Sequence, residues 1–542
     1  MRFDINGMVM DFPEVFNGAD RLVDWNVREG RKDKAALYYW DDVVTYGQVM
    51  EGVNKAGNAL KSLGVEVENR VGILAFDCPQ WIYCLFGAQK LGAVPVGINT
   101  MLAKTDYLYM LNDSRAKVLI VSNELYPVVA EIRSELKFLQ HIVVIADKID
   151  GSKGDPIEGT IDFNSWYAGF SAELETYPTK PDDQAFWLYT SGTTGDPKGI
   201  MHSHTTMCYN AEAIAKRHFQ MTENDISYSV ARLFFGYGFQ NSMGFPFYVG
   251  ASAVLHPGRP LPDHLMSVVT KYKPTMFWGV PTSYNQLLQI PDLTTKYDLS
   301  SLRICGSGGE PLPGAVWAKW KEVTGVEILD CIGSTEVLHY HIGNELGNSK
   351  PDCTGKPIVG YECKIVDENG NEVPQGEQGT MMIRCGSQAI GYYNKLEKTR
   401  NTYVGEWVNS GDTYMINEEG YWVYCGRGDD MIKAGGIWVS PAEVEACLMT
   451  HPAVLECGVV GVPDQDGLFK PKAFIVFKEG VNADVALHEE IKKYVKTTIA
   501  PFKFPRWIKE IKELPKTPTG KIKRYMLREM DKGEINIDKK DR

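Results

Sequence analysis

The 542-residue sequence has no continuous apolar run near the ~20 residues that a helix needs to cross a bilayer, which argues against a membrane-embedded chain. Positive charge is in short supply. Lys and Arg number 57 against 69 Asp and Glu, for a formal net charge of -12. A nucleic-acid or anionic-membrane partner would need a concentrated basic surface, so neither is expected. The eleven cysteines are an odd number, scattered from Cys78 to Cys457 without a Cys-x-x-Cys pair. They fit neither a disulfide framework nor a zinc site and read as reduced core residues. The opening Met1-Arg2-Phe3-Asp4-Ile5-Asn6-Gly7 lacks the charged-then-apolar region of a secretory leader, and the expected location is the cytoplasm. A Walker A loop is missing too: the Gly-Lys pairs Gly355-Lys356 and Gly520-Lys521 are followed by Pro or Ile, where that loop needs Ser or Thr. His488-Glu489-Glu490 begins like a metalloprotease helix, but no second His follows at the required spacing.

What remains is an ordinary folded composition, 44% apolar and 23% charged. A single core rarely grows past ~250 to 300 residues, so at least two domains are expected. Runs such as Val71 to Phe76, Lys117 to Val121 and His141 to Ile145 alternate with longer helical stretches, the pattern of a parallel sheet covered by helices. The alternation resumes at Ala251 to Leu255 and Thr275 to Trp278, far enough downstream to suggest a second subdomain. Between Gly360 and Gly420, short strands broken by turns such as Glu368-Asn369-Gly370-Asn371 suggest a smaller antiparallel region. Beyond the charged, glycine-flanked Gly426-Arg427-Gly428-Asp429-Asp430 lies a separate strand and helix pattern. A flexible joint is expected near Asp429, dividing residues 1–427 from 428–542.

The strongest local signal is Tyr189-Thr190-Ser191-Gly192-Thr193-Thr194-Gly195-Asp196-Pro197-Lys198-Gly199, after the apolar run Ala185 to Leu188. It reads as a strand leading into a phosphate loop. Glycines allow close approach of backbone N–H groups, hydroxyls add donors, and Lys198 supplies charge, a set suited to a polyphosphate. Ser, Thr and Gly also cluster in plain exposed turns, so the loop alone leaves both readings open.

Other segments decide between them. Thr190 to Gly199 resembles the signature loop of the adenylate-forming superfamily of acyl-CoA synthetases, luciferases and adenylation domains. Gly306-Ser307-Gly308-Gly309-Glu310-Pro311-Leu312 and Asp330-Cys331-Ile332-Gly333-Ser334-Thr335-Glu336 resemble its nucleotide-pocket segments. Trp407 to Asp412, Gly426 to Pro441 and Pro515 to Arg524 resemble its ribose, hinge and C-terminal lysine motifs, in family order. The resemblance implies an α/β fold: two doubly wound α/β subdomains and a small β-barrel-like subdomain, then a small mobile α+β C-terminal domain.

It also implies roles. Thr190, Ser191, Gly192, Thr193, Thr194 and Lys198 would hold the triphosphate of ATP. Gly309, Glu310, Pro311, Asp330 and Ile332 would line the nucleotide pocket, Asp412 would hold the ribose, and Arg427 would also bind the nucleotide. Thr335 and Glu336 would act beside Mg2+, with Glu336 as metal ligand, since a hard cation takes oxygen ligands. Lys521 would bridge the acid's carboxylate and the α-phosphate, offsetting the repulsion between two anions. Rotation about Asp429 would then bring Lys433, Gly435, Gly436 and Trp438 to coenzyme A, the two glycines letting a thin pantetheine arm pass. Read alone, Glu336, Asp412 and Lys521 would each pass for exposed charged residues, and Gly435-Gly436 for a tight turn.

The segments Leu233 to Asn241 and Gly333 to His339 resemble those of benzoate–CoA and related aryl-acid ligases, which implies an acid pocket at Gly236, Tyr237, His339 and Tyr340. An aromatic wall favours a flat ring, and a histidine can orient a carboxylate. Three departures stand out. Gly236 replaces an alanine and is expected to open room; Tyr340 replaces a smaller aliphatic residue; Ile332 replaces a tyrosine found elsewhere in the superfamily. Benzoate, a hydroxybenzoate, cyclohexenecarboxylate and a short or medium aliphatic acid all stay open, as does a homodimer. So do two rivals: an adenylation enzyme that serves a carrier protein, and a nucleotide-binding protein without catalysis.

Overall fold

The computed structural model describes residues 1–190, 196–428, 430–434, 437–464, 469–517 and 521–532. Its first layer is an eight-stranded sheet. In spatial order the strands are Gly391–Tyr392, Lys198–Ser203, Gln184–Thr190, Val94–Gly97, Arg70–Leu74, Val118–Ser122, His141–Ile145 and Ile161–Asp162. From Gln184–Thr190 onward all neighbours run parallel, and the two strands before it are antiparallel. Val118–Ser122 is buried at every position, as a strand covered by helices on both faces must be.

A nine-stranded sheet forms the second layer. Ile328–Gly333, Ile304–Ser307, Met276–Gly279, Ile226–Ser229, Ser252–Leu255 and Ala35–Tyr39 run parallel in that order, with Tyr340–Gly343 added antiparallel beside Ile328–Gly333. The early Ala35–Tyr39 strand thus crosses into a sheet built mostly from residues two hundred positions later, which no local pattern announces. Tyr361–Val366, Gly379–Cys385, Tyr403–Val404, Trp407–Ile416 and Trp422–Arg427 make a five-stranded antiparallel sheet. In the C-terminal region the Val454–Pro463 and Phe469–Phe477 hairpin pairs in parallel with Trp507–Glu510, and the helices Pro441–Met449, Val485–Thr498 and Arg524–Lys532 complete it.

Local chemistry explains several of these elements. The Tyr46–Ser62 helix starts on a capping box, with Thr45 accepting from the Gln48 N–H and the Gln48 side chain answering the Thr45 N–H. It crosses the Pro79–Lys90 helix at Gly57 and Gly87, where a Cβ on Gly87 would lie 2.7 Å from the Gly57 nitrogen. No helix among the described residues is long and apolar enough to cross a membrane.

Asp77 ties the two layers together. It follows the Arg70–Leu74 strand, is buried, and accepts the Leu233 N–H at 3.1 Å from the segment that follows the Ile226–Ser229 strand of the second layer. Burial pushes its carboxyl up to about 6, against Arg232 and the Leu233 N–H. The folded chain therefore holds this proton more tightly than the unfolded chain, and the resulting stability fades as pH rises from about 4 to about 6. Asp77→Asn keeps an acceptor for Leu233 and removes the titration. Across that pH range, urea unfolding should show wild type losing about 2 kcal/mol relative to the variant. A constant difference between the two proteins would mean that Asp77 is ionised in the fold.

Candidate active site

The strands on either side of the phosphate-loop segment pair in the first layer. Thr190 ends one strand, Lys198 begins the antiparallel return, and the two pair directly. Ser191, Gly192, Thr193 and Thr194 lie outside the described residues. Burial lowers the Lys198 ammonium pKa, with Lys398 and Lys395 acting in the same direction and Glu336 opposing.

Glu336 sits on the one-turn helix Thr335–Val337, which follows the Ile328–Gly333 strand. Its Oε1 accepts the Tyr392 hydroxyl at 2.7 Å, and its backbone carbonyl accepts the Ala389 N–H at 2.9 Å. The turn is closed by the Leu338 N–H donating to the Thr335 carbonyl at 3.0 Å, which holds Leu338 at φ +73°. A branched residue in that region is strained.

Gly309, Glu310 and Pro311 follow the Ile304–Ser307 strand, with Gly309 at φ +88°. Glu310 accepts the Thr282 hydroxyl at 3.2 Å through one oxygen, and its other oxygen has no partner. Desolvation raises its carboxyl to about 7, against Lys516 and Lys521. Asp330 is buried in the next strand, also with an unpartnered oxygen, and burial raises its pKa well above the carboxylate range. Ile332 lies two residues on, half-buried against the core.

Asp412 and Arg427 face one another across adjacent strands, the guanidinium donating to Asp412 Oδ1 at 2.9 Å and to the Ser410 carbonyl at 2.8 Å. Burial raises the Asp412 pKa, and Arg427 opposes it. Lys521 arrives from the C-terminal region. Its Cε comes within 3.9 Å of where a Cβ on Gly309 would stand. The surrounding protein lowers its pKa, first by desolvation and next through Arg427, while Asp412, Glu310 and Glu336 oppose. Glu310, Glu336, Asp412 and Arg427 are thus close enough for their charges to act on Lys521, although they come from separate stretches of chain.

The four acid-pocket candidates also converge. The Tyr237 ring lies 5.4 Å from His339 and 5.5 Å from Tyr340, and Phe245 adds a wall 4.8 Å from His339. The Tyr237 hydroxyl donates to the Gly279 carbonyl at 3.0 Å and lies 3.3 Å from that of Gly306, while the Tyr340 hydroxyl donates to the Ser307 carbonyl at 2.9 Å. His339 is buried with both ring nitrogens unpartnered, and burial lowers its pKa to about 3, so the imidazole is neutral. One expectation is corrected. Gly236 does not open room, because the Leu338 carbonyl oxygen fills the place of its missing side chain.

Near the expected joint, Ile432–Ala434 and Ile437–Val439 pair as a short antiparallel hairpin that includes the backbones of Lys433 and Trp438. Asp429, Gly435 and Gly436 lie outside the described residues. The site also contains a residue that sequence reasoning missed: Tyr392. It reaches Glu336 only because Gly391–Tyr392 pairs with the Lys198–Ser203 strand, a contact with no local signature.

Comparison with known proteins gives a consistent picture. Residues 23–393 match the AMP-binding enzyme family and residues 443–521 the AMP-binding enzyme C-terminal domain. The chain is 44% identical to a benzoate–CoA ligase of Thauera aromatica, covering 95% of this chain and 96% of that protein. It is 40% identical to a 4-hydroxybenzoate–CoA/benzoate–CoA ligase of Rhodopseudomonas palustris, covering 96% and 95%. Among solved structures, an anthranilate CoA ligase in complex with anthranoyl-AMP superposes with a TM-score of 0.92 at 44% identity, covering 96% of this chain and 98% of that one. With a family match over most of its length, a shared fold and the motif segments gathered around one site, the chain belongs to the AMP-binding enzyme family.

Proposed function

We propose that this chain is an AMP-forming acid–CoA ligase. It joins a small ring carboxylic acid, benzoate or a close analogue such as cyclohexenecarboxylate, to the α-phosphate of ATP and then passes the acyl group to coenzyme A. The observation that carries this reading is a shared wall. The Tyr237 and Tyr340 hydroxyls, from the aromatic pocket, reach the carbonyls of Gly306 and Ser307, and the same segment continues into Gly309 beside Lys521. A ring lodged among Tyr237, His339 and Tyr340 would have its carboxylate facing the nucleotide. The relatives that act on benzoate and hydroxybenzoate, and the solved ligase that holds an aryl adenylate, support a ring acid. Eleven unpaired cysteines suit a reducing compartment such as the cytoplasm.

In the first step, a carboxylate oxygen bonds to the α-phosphorus and the bond to the bridging oxygen breaks, pyrophosphate leaving with the electron pair. The nucleophile is already ionised, so no general base is needed. Lys521 and Arg427 supply the cationic charge that offsets repulsion between the two anions and steadies the transition state. Asp412 offers acceptors to the ribose hydroxyls. Neutral His339 orients the acid without adding a charge. Glu336 fits a magnesium ion carried mainly by phosphate oxygens, as a single carboxylate fixed by Tyr392; no group of three or more such ligands occurs among the described residues. Bound there, Mg2+ would neutralise phosphate charge. In the second step the thiol sulfur of coenzyme A attacks the acyl carbon, AMP leaves and the thiol proton passes to solvent. Rotation about Asp429 would bring the hairpin at Ile432–Val439 into the place of Lys521.

Mass spectrometry of products from ATP, coenzyme A and each of benzoate, hydroxybenzoates, cyclohexenecarboxylate and hexanoate should show a ring thioester dominating. Lys521→Ala should slow pyrophosphate release by about 10²-fold or more. Adenylate without thioester would point to a carrier-protein enzyme, and no pyrophosphate from any acid would overturn the proposal. Gly236→Ala tests the pocket separately. Its methyl has to displace the Leu338 carbonyl, so urea unfolding should register a loss of about 1 to 3 kcal/mol together with a higher KM for the acid. Unchanged stability and a tighter pocket would mean that the turn yields freely.

A further inference from the structure

Beside the Lys198 strand runs the short strand Gly391–Tyr392, pairing Tyr392 with Ile200 and Gly391 with Met201, and the Tyr393 N–H donates to the Gly199 carbonyl at 2.9 Å. This register carries the next stretch past Lys198, with Lys395 at its start and Lys398 within the helix Leu396–Thr402. The two lysines differ in their surroundings. Lys395 is compensated, being drawn to the Tyr109 hydroxyl and to Asp113 and Asp196. Lys398 is exposed, and its charge, with that of Lys395, lowers the Lys198 pKa beyond what burial does, while Glu336 opposes. Neither Lys198 nor Lys398 forms an ion pair among the described residues.

Like charges in one neighbourhood repel, and the pairing of Gly391–Tyr392 with the Lys198–Ser203 strand sets where the helix that carries Lys398 begins relative to Lys198. On the third side stands Glu336, whose carboxylate is fixed by the Tyr392 hydroxyl from this same segment. A polyanion with several oxygens satisfies this arrangement better than any single carboxylate, because it can accept from both ammonium groups at once.

We propose that the segment from Tyr392 to Lys398 is the pyrophosphate wall of the site. Lys398 and Lys198 bind the β- and γ-phosphates of the nucleotide and the pyrophosphate that leaves, and Tyr392 is a positioning residue that fixes Glu336 beside them. The assignment rests on the ligase reading above. When the bond from the α-phosphorus to its bridging oxygen breaks, the electron pair stays with pyrophosphate, and Lys198 and Lys398 meet that added charge.

Calorimetry on the full-length chain, with inorganic pyrophosphate and separately with AMP in magnesium-free buffer, tests the proposal. Lys398→Ala should weaken pyrophosphate binding about tenfold while leaving AMP within about twofold, since one charge-assisted contact is lost at the far end of the nucleotide. Lys398→Arg should keep most of the affinity, because charge and reach are retained. Lys395→Ala should cost less than Lys398→Ala. The proposal is overturned by a wild-type chain that takes up no pyrophosphate, by a Lys398→Ala variant with wild-type affinity, or by equal losses for pyrophosphate and AMP. Failure of the ligase reading would look different: no acid would yield an adenylate, whereas the pyrophosphate contrast is measured with no acid present.

Discussion

The turn from Ser334 to Leu338 is the constraint on which the site depends. It is clamped from three directions: its own Thr335 carbonyl takes the Leu338 N–H, the Glu336 carbonyl takes the Ala389 N–H, and the Val337 carbonyl takes the Ser387 hydroxyl at 3.0 Å. These bonds hold Leu338 at φ +73°, at a cost of order 1 to 3 kcal/mol for a residue of its kind. The reversal achieves what a relaxed turn could not. Glu336 projects toward the Tyr392 hydroxyl while His339 and Tyr340, two and three residues after Val337, join the Tyr237 ring in the aromatic cluster. Carboxylate and pocket are therefore fixed relative to one another by a handful of backbone bonds.

Around that turn the charges alternate: Lys198, Glu336, Lys521, Asp412 and Arg427, with Glu310 on the far side. Several of these groups are pushed toward their neutral forms by burial and held back by a neighbour of opposite sign, Asp412 by Arg427 and Glu310 by Lys516 and Lys521. Such a site is uncomfortable when empty of a ligand that carries its own charge. Lys521 arrives on the C-terminal region, whose contacts with the larger part among the described residues include the Asn285 amide donating to the Leu455 carbonyl at 3.4 Å and the charge facing Glu310.

What was legible in the sequence follows a physical rule. Contiguous segments could carry the family resemblance, because the Thr190 to Gly199, Gly306 to Leu312 and Gly333 to Glu336 stretches each combine glycines with polar side chains within a few residues. Strand runs such as His141 to Ile145 were legible for the same reason, being apolar on both faces. What could not be read was any contact made by pairing distant strands. Tyr392 on Glu336, Leu233 on Asp77 and the Leu338 carbonyl over Gly236 all depend on register between segments with no shared pattern. Gly236 is the instructive case: a missing side chain looks like space in a sequence, whereas in the fold another backbone already uses it.

The same reasoning bears on how a ring acid would be selected. Tyr340 cannot swing aside to admit a bulkier guest, since its hydroxyl is bonded to the Ser307 carbonyl and its ring lies 2.8 Å from where a Cβ on Gly308 would stand. Tyr237 is tethered in the same way to Gly279. Both rings are thus anchored to the backbone that leads into the nucleotide turn, and widening the pocket would disturb that turn as well. The positions of both rings are fixed by main-chain carbonyls, so a change of substrate would be expected to come through residues without such tethers. Phe245 and His339 are the side chains at this wall with no hydrogen bond holding them in place.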